Sequence, residues 1–118
     1  MNEVKDTSQR TDELDALIAA PRHHKLLFEN EKVRVLDTRI ASGETTAVHT
    51  HKWPAALYVL HWSDFIRYDA EGNIVLDSKN LPKTVLPSTA LWSGPLGPHA
   101  LKNNGDTVLH IISVEIKT

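Results

Sequence analysis

Seven histidines and no cysteine stand in this 118-residue chain. Without thiols, disulfides, iron–sulfur clusters, cysteine nucleophiles and sulfur-ligated metals are excluded together, so any chemistry rests on nitrogen and oxygen. His49-Thr50-His51 has the most useful spacing. Alternation along an extended strand turns both imidazoles to one face, where they can share a metal ion. Taken alone, the pair serves a metal or an ordinary packed strand equally well.

The elements that must position these residues are short and mostly extended. From Leu26 onward, runs rich in Val, Ile, Leu, Thr and aromatics are broken by Gly, Pro, Asn and Asp at close intervals. The pattern predicts strands at 25–28, 32–40, 45–52, 56–62, 65–69, 73–77, 83–86, 90–93, 99–103 and 107–116. Ala41-Ser42-Gly43-Glu44, Ala70-Glu71-Gly72-Asn73 and Asn103-Asn104-Gly105-Asp106 read as tight turns that need positive φ. Ahead of the strands, Leu14, Leu17 and Ile18 follow an acidic start and precede Pro21, the pattern of one short amphipathic helix. The result is an all-β sandwich or barrel with a short N-terminal helix. Residues 1–24 form an extension and 25–118 the single domain.

Gly43-x5-His49-x-His51, followed by Pro95-Leu96-Gly97-Pro98-His99-x3-Asn103, resembles the two motifs of the cupin superfamily. The first of these reads G-x5-H-x-H-x(3,4)-E-x6-G and the second G-x5-P-x-G-x2-H-x3-N. The resemblance runs from about Val33 to Ile116 and implies a double-stranded β-helix, a small jelly-roll barrel. It also implies a metal site on His49, His51 and His99, with His99 brought across the barrel. The chain departs from the motif at the carboxylate: three or four residues past His51 stand Ala55 and Ala56. Trp62 or Ser63 replaces the closing Gly, and only Pro98 separates Gly97 from His99.

Three neutral imidazoles form a facial nitrogen set with two or three positions open, suited to Fe(II), Zn(II), Ni(II) or Cu(II). The loss of Glu leaves the ion's charge for an anionic or bidentate ligand to balance. The sequence reading is therefore a metal-binding cupin, dioxygenase-like when it holds Fe(II), acting on a small polar or anionic molecule. Its alternatives are a binding or sensor module without turnover, and a structural dimer with a dead site.

The remaining residues carry plainer expectations. His23-His24 reads as a solvated surface pair, and His61 has no nameable partner. His110 shares a face with Val108, Ile112, Val114 and Ile116 and reads as a core histidine. Trp53, Trp62 and Trp92 default to the core, with Trp53 also able to wall the metal pocket. A net charge of −2 without a basic run gives no footprint for nucleic acid or a membrane surface. The polar opening run is no signal peptide, so the protein is expected in the cytoplasm, as a homodimer. No G-x-S-x-G, G-x-x-x-x-G-K-[ST], G-x-G-x-x-G or H-E-x-x-H occurs.

Overall fold

The structure is a computed structural model that describes residues 13–81 and 90–118. Its strands are β1 (His24–Glu29), β2 (Val33–Ile40), β3 (His49–His51), β4 (Ala55–His61), β5 (Phe65–Asp69), β6 (Ile74–Asp77), β7 (Ala90–Ser93), β8 (Leu96–Asn103) and β9 (Leu109–Ile116). They form a five-stranded sheet in the order β1-β2-β9-β4-β7 and a four-stranded sheet in the order β3-β8-β5-β6. Strand pairing within both sheets is antiparallel. The predicted strand at 83–86 lies outside the described residues. The predicted 45–52 shrinks to β3, with Thr45 making only an isolated bridge to Lys102.

Alternation decides which side chains enter the barrel. On β2, Arg34, Leu36, Thr38 and Ile40 are buried, while Val33, Val35, Asp37 and Arg39 between them are less so. On β9 the inward set is Leu109, Ile111, Ser113 and Glu115, which line the interior cavity. This corrects the sequence reading, which took the even-numbered face for the core. Both faces of this central strand are largely apolar, so a period of two cannot choose between them. His110 therefore stands on the outer face, where its Nε2 lies 2.8 Å from Asp37 Oδ1.

The N-terminal helix is one turn, α1 (Ala16–Ala19), with Asp15 as its N-cap accepting from the Leu17 N–H. Its expected apolar stripe is not what packs: Ile18 is 62% and Leu14 36% exposed, whereas Asp15, Ala16 and Ala20 are buried. Small side chains let the backbone approach β3 closely, and the Thr50 N–H donates to the Leu14 carbonyl at 2.7 Å. The segment is thereby pinned to the strand that carries His49 and His51.

Gly43 and Gly72 take positive φ, 82° and 88°, as their turns require. Gly105 does not. It is needed because a Cβ there would run into Ser63 Oγ and the Asp64 backbone nitrogen. That crowded crossing is organised by Asn103, which is fully buried. Asn103 Nδ2 donates to the Ile40 and Thr107 carbonyls at 2.8 and 2.7 Å, and Oδ1 accepts from Ser63 Oγ and the Gly105 N–H. The side chain thus knots the ends of β2, β4, β8 and β9 together with every amide group used. Asn103→Asp would set a second carboxylate oxygen against two carbonyls, so we expect a loss of about 3 kcal/mol or more in urea-unfolding stability at pH 7. An unchanged denaturation midpoint would contradict this role.

Candidate metal centre

Four buried or half-buried imidazoles meet inside the barrel. His49 and His51 enter from β3, and His99 on β8 is the direct cross-strand partner of His49. The pairing slips between His49 and His51, so that His51 faces Leu96 rather than Gly97. His24 arrives from β1 in the opposite sheet. Ring centroids lie 4.6 Å apart for His24–His49, 4.9 Å for His49–His51 and 4.4 Å for His49–His99. His51 is 5.5 Å from both His24 and His99. The structure thus gathers the rings of His49, His51 and His99 with that of His24, and the ligand atoms close enough to share one ion are those of His24, His49 and His51 rather than the predicted set with His99.

His24 is the residue that the sequence reading missed. Rather than a solvated pair, His23 and His24 are each 6% exposed. His23 turns to Glu44, with Nε2 3.2 Å from Oε1, while His24 turns inward. No spacing rule links His24 to a motif some 25 residues away; only the pairing of β1 with β2 brings it there.

The ring nitrogens are sorted by their hydrogen bonds. Nδ1 of His24, His49 and His99 lies 3.0, 2.7 and 2.7 Å from the carbonyls of Ala20, Ala47 and Gly97. Nδ1 of His51 lies 3.0 Å from Glu115 Oε2. Carbonyls and carboxylates only accept, so each Nδ1 carries the proton and each Nε2 keeps its lone pair. That is how metal-binding imidazoles are held, with the far nitrogen fixed by an acceptor. Ring nitrogens of His24, His49 and His51 all lie within 4.8 Å of one another, and these three could hold a metal ion. Nitrogens sharing one ion at about 2.0–2.1 Å stand about 3–4 Å apart, so small ring rotations would close the set. The donor chemistry and the fixed Nδ1 protons fit an imidazole-bound divalent metal.

A carboxylate does reach this site, from β9, but it is bonded to the His51 ring rather than offered to an ion. Glu115, 1% exposed, is the cross-strand partner of Ala55. Ala55 is one of the two positions, with Ala56, where the resemblance would place a Glu, and it is the buried one of the pair. Oε1 of Glu115 accepts from Arg34 Nε at 2.7 Å, while Oε2 holds His51. Arg34 in turn grips both oxygens of Asp15, at 3.0 and 2.8 Å. Burial alone would raise the Glu115 pKa, but His51 and Arg34 outweigh it and hold the carboxyl below its usual range. The four side chains form one line, Asp15–Arg34–Glu115–His51.

Around the imidazoles lies a cavity of about 460 Å³ with mostly apolar walls, including Ile40, Leu57, Val59, Phe65, Leu101 and Ile111. Trp53 and Trp62 also line it. Trp53 carries cations over its face, with Arg34 Cζ at 5.2 Å, Lys52 Nζ at 4.6 Å and Lys117 Nζ at 5.5 Å from the centroid. Trp92, placed in the core by default, also borders the cavity but is 66% exposed. His61 bonds the Val108 carbonyl at the surface.

In three dimensions the chain is similar to a cupin domain from Bordetella pertussis Tohama I, with a TM-score of 0.63 and 20% sequence identity over 80% of this chain and 92% of that one. It is also similar to an RmlC-like cupin with a double-stranded β-helix fold from Methanocaldococcus jannaschii, with a TM-score of 0.55 and 11% identity over 79% and 77% of the two chains. A cupin superfamily protein from Desulfitobacterium hafniense DCB-2 gives a TM-score of 0.53 at 14% identity, over 80% and 76%. No protein-family model and no curated protein matches the chain. At these identities the likeness is one of fold: the architecture is the all-β cupin double-stranded β-helix.

Burial is the main force on the imidazoles, pushing His24 and His99 down to about 4 and His49 to about 2. Their carbonyl partners oppose the shift, and neighbouring imidazoles add to it. Between pH 6.5 and about 4 the unfolded chain therefore binds protons that the folded chain refuses. Stability is full above pH 6.5 and falls as the pH drops toward 4, by about 1.4 kcal/mol per pH unit for each imidazole at most. Unfolding of the metal-free protein in urea should accordingly be on the order of 4 kcal/mol easier at pH 5 than at pH 7. A flat profile over that interval would show that these rings are charged, or solvated, in the folded state.

Proposed function

We propose that this cupin-fold barrel holds one divalent metal ion on His49, His51 and His99, with His24 as a further ligand, and that it is a metal-dependent, dioxygenase-like enzyme acting on a small anionic molecule. The observation that carries the reading is the sorting of four Nδ1 protons onto fixed acceptors, which leaves four lone pairs in one cavity. Packing these desolvated imidazoles edge to edge works against stability unless a cation uses them. Iron, zinc, nickel or copper suits such nitrogen donors; Fe(II) would supply oxygenase chemistry when bound, whereas Zn(II), without redox chemistry, would not.

The chain's own residues have definable tasks in that reading. Glu115 keeps the proton of His51 on Nδ1 and brings one negative charge near the ion. The backbone carbonyls of Ala20, Ala47 and Gly97 do the same for the other rings without adding charge. Leu57, Val59, Phe65 and Ile111 exclude water, which strengthens every electrostatic contact inside.

A second reading, a binding module without turnover, is favoured by His24 itself. A fourth protein nitrogen leaves an octahedral ion two positions rather than three. Metal analysis followed by oxygen uptake separates the two. Protein purified anaerobically without chelator should carry one ion per chain, and His49→Ala or His99→Ala should lose most of it while remaining folded. Iron-loaded protein should consume oxygen with a member of a panel of small thiols, β-diketones and amino-acid-derived carboxylates, and zinc-loaded protein should not. Metal binding with flat oxygen traces would favour the binding module; failure to take up any ion would overturn both readings.

The outer face of the five-stranded sheet supports self-association. Tyr58 and Leu60 are half exposed and Trp92 more so; Tyr58 is the cross-strand partner of Ile112, and Trp92 that of Ala56, which in turn pairs with Val114. A homodimer pairing these faces should give a dimer's mass by light scattering at micromolar concentration, and Trp92→Arg should give a monomer's. A wild-type monomer would remove this surface from consideration.

A further inference from the structure

Among the described residues, Arg67 is a cation of the interior that no acid answers. Arg67 is the middle residue of β5, and its cross-strand partner is Leu101, two positions from His99 along the same inward face of β8. Both Arg67 and His99 line the cavity. Arg67 Nε is buried with no hydrogen-bond partner. The acids of its neighbourhood are spent elsewhere. Asp69 accepts from the Glu71 and Asn73 backbone in the hairpin turn, Asp64 from Ser78, and Asp77 from the Lys79 N–H. Glu115 is divided between Arg34 and His51. Among the described residues Arg67 makes no ion pair. Burial alone acts on it, lowering its pKa with nothing to offset the cost.

A guanidinium without a partner among the described residues is suited to take one from a ligand. We propose that Arg67 is the anchor for the ligand's anionic group, and that this group is a carboxylate borne on a short apolar chain. Two oxygens in a plane match the side-on edge of the guanidinium formed by Nε and its neighbouring nitrogen. A phosphate dianion would need several more donors than this one side chain provides, and the walls beside it, Phe65, Leu76 and Leu101, have none in their side chains. Those same walls suit the hydrocarbon part. Specificity would come from the charge at Arg67 and the apolar shape around it, while the imidazole side of the cavity receives the other end of the ligand.

The inference rests on reading the barrel interior as a ligand site, and it does not require the metal. It is therefore tested on chelator-treated protein, where a carboxylate has no ion to bind. Hexanoate, its neutral isostere hexanamide and inorganic phosphate are titrated by calorimetry, with thermal melting in parallel. Hexanoate should bind about tenfold or more tightly than hexanamide and should raise the melting temperature, as loss of a charged hydrogen-bonding partner predicts. Arg67→Gln should bring hexanoate down to the level of the amide, and Arg67→Lys, with charge but no fork, should fall between. The comparison of acid with amide in the wild type needs no variant, so it holds even where Arg67→Gln folds poorly. Equal binding of hexanoate and hexanamide, tighter binding of phosphate, or unaltered hexanoate binding in folded Arg67→Gln would each overturn the proposal. Metal content, measured separately, reports on the imidazole site whichever way this result falls.

Discussion

The buried guanidinium of Arg34 is what the imidazole site leans on. It sits between two carboxylates, Asp15 and Glu115, that would otherwise be left as uncompensated charges in the interior, an arrangement costing several kcal/mol per ion. With Arg34 present, three buried charges sum to a single negative one, and that remainder lies on Glu115, against His51. The segment before β1 is held by the same contact, because Asp15 also caps α1 and borders Thr50. Folding of the N-terminal turn, closure of the barrel wall and orientation of a ring are thus one electrostatic arrangement rather than three. Arg suits the task better than Lys, since its Nε and both terminal nitrogens each take a separate oxygen.

How far these features can be read from the chain depends on whether they are local. His49 and His51 are legible because two residues of spacing and an extended backbone settle their common face. β5 and β7 stand where propensity and turn residues put them. His24 is illegible for the opposite reason: beside Pro21 and Arg22 it looks like surface, and only the long-range pairing of β1 carries it inward. Glu115 was missed through a choice of face. β9 offers Ile112, Val114 and Ile116 on one side and Leu109 and Ile111 on the other, and the more continuous apolar series proved to be the outer one. A single buried acid among apolar residues was the available signal that the odd-numbered side faces something polar.

That reversal describes the barrel as a whole. Its interior carries imidazoles, two guanidinium groups and two carboxylates among the aliphatic walls, while Tyr58 and Leu60 stand outside. A small domain that places polar groups within gives up part of the burial that would stabilise it. Among the described residues these groups are held by hydrogen bonds of good length, apart from the inward Nε2 atoms and Arg67 Nε, which border one space, the space that a ligand would enter; Thr50 Oγ1, also buried without a partner, is not part of its lining.

The placement of His24 has a mechanical consequence. The other three rings belong to β3 and β8 of one sheet, whereas His24 belongs to the edge strand of the opposite sheet. An ion bound by all four would tie the two sheets together and close a loop of chain running from residue 24 to residue 99. Cross-links over so long a stretch restrict the unfolded ensemble strongly, and coordination would then act as a disulfide does, in a chain with no cysteine to make one. Loading and unloading the ion would set how firmly β1 adheres to the rest, and with it the rate at which a protease could reach that edge.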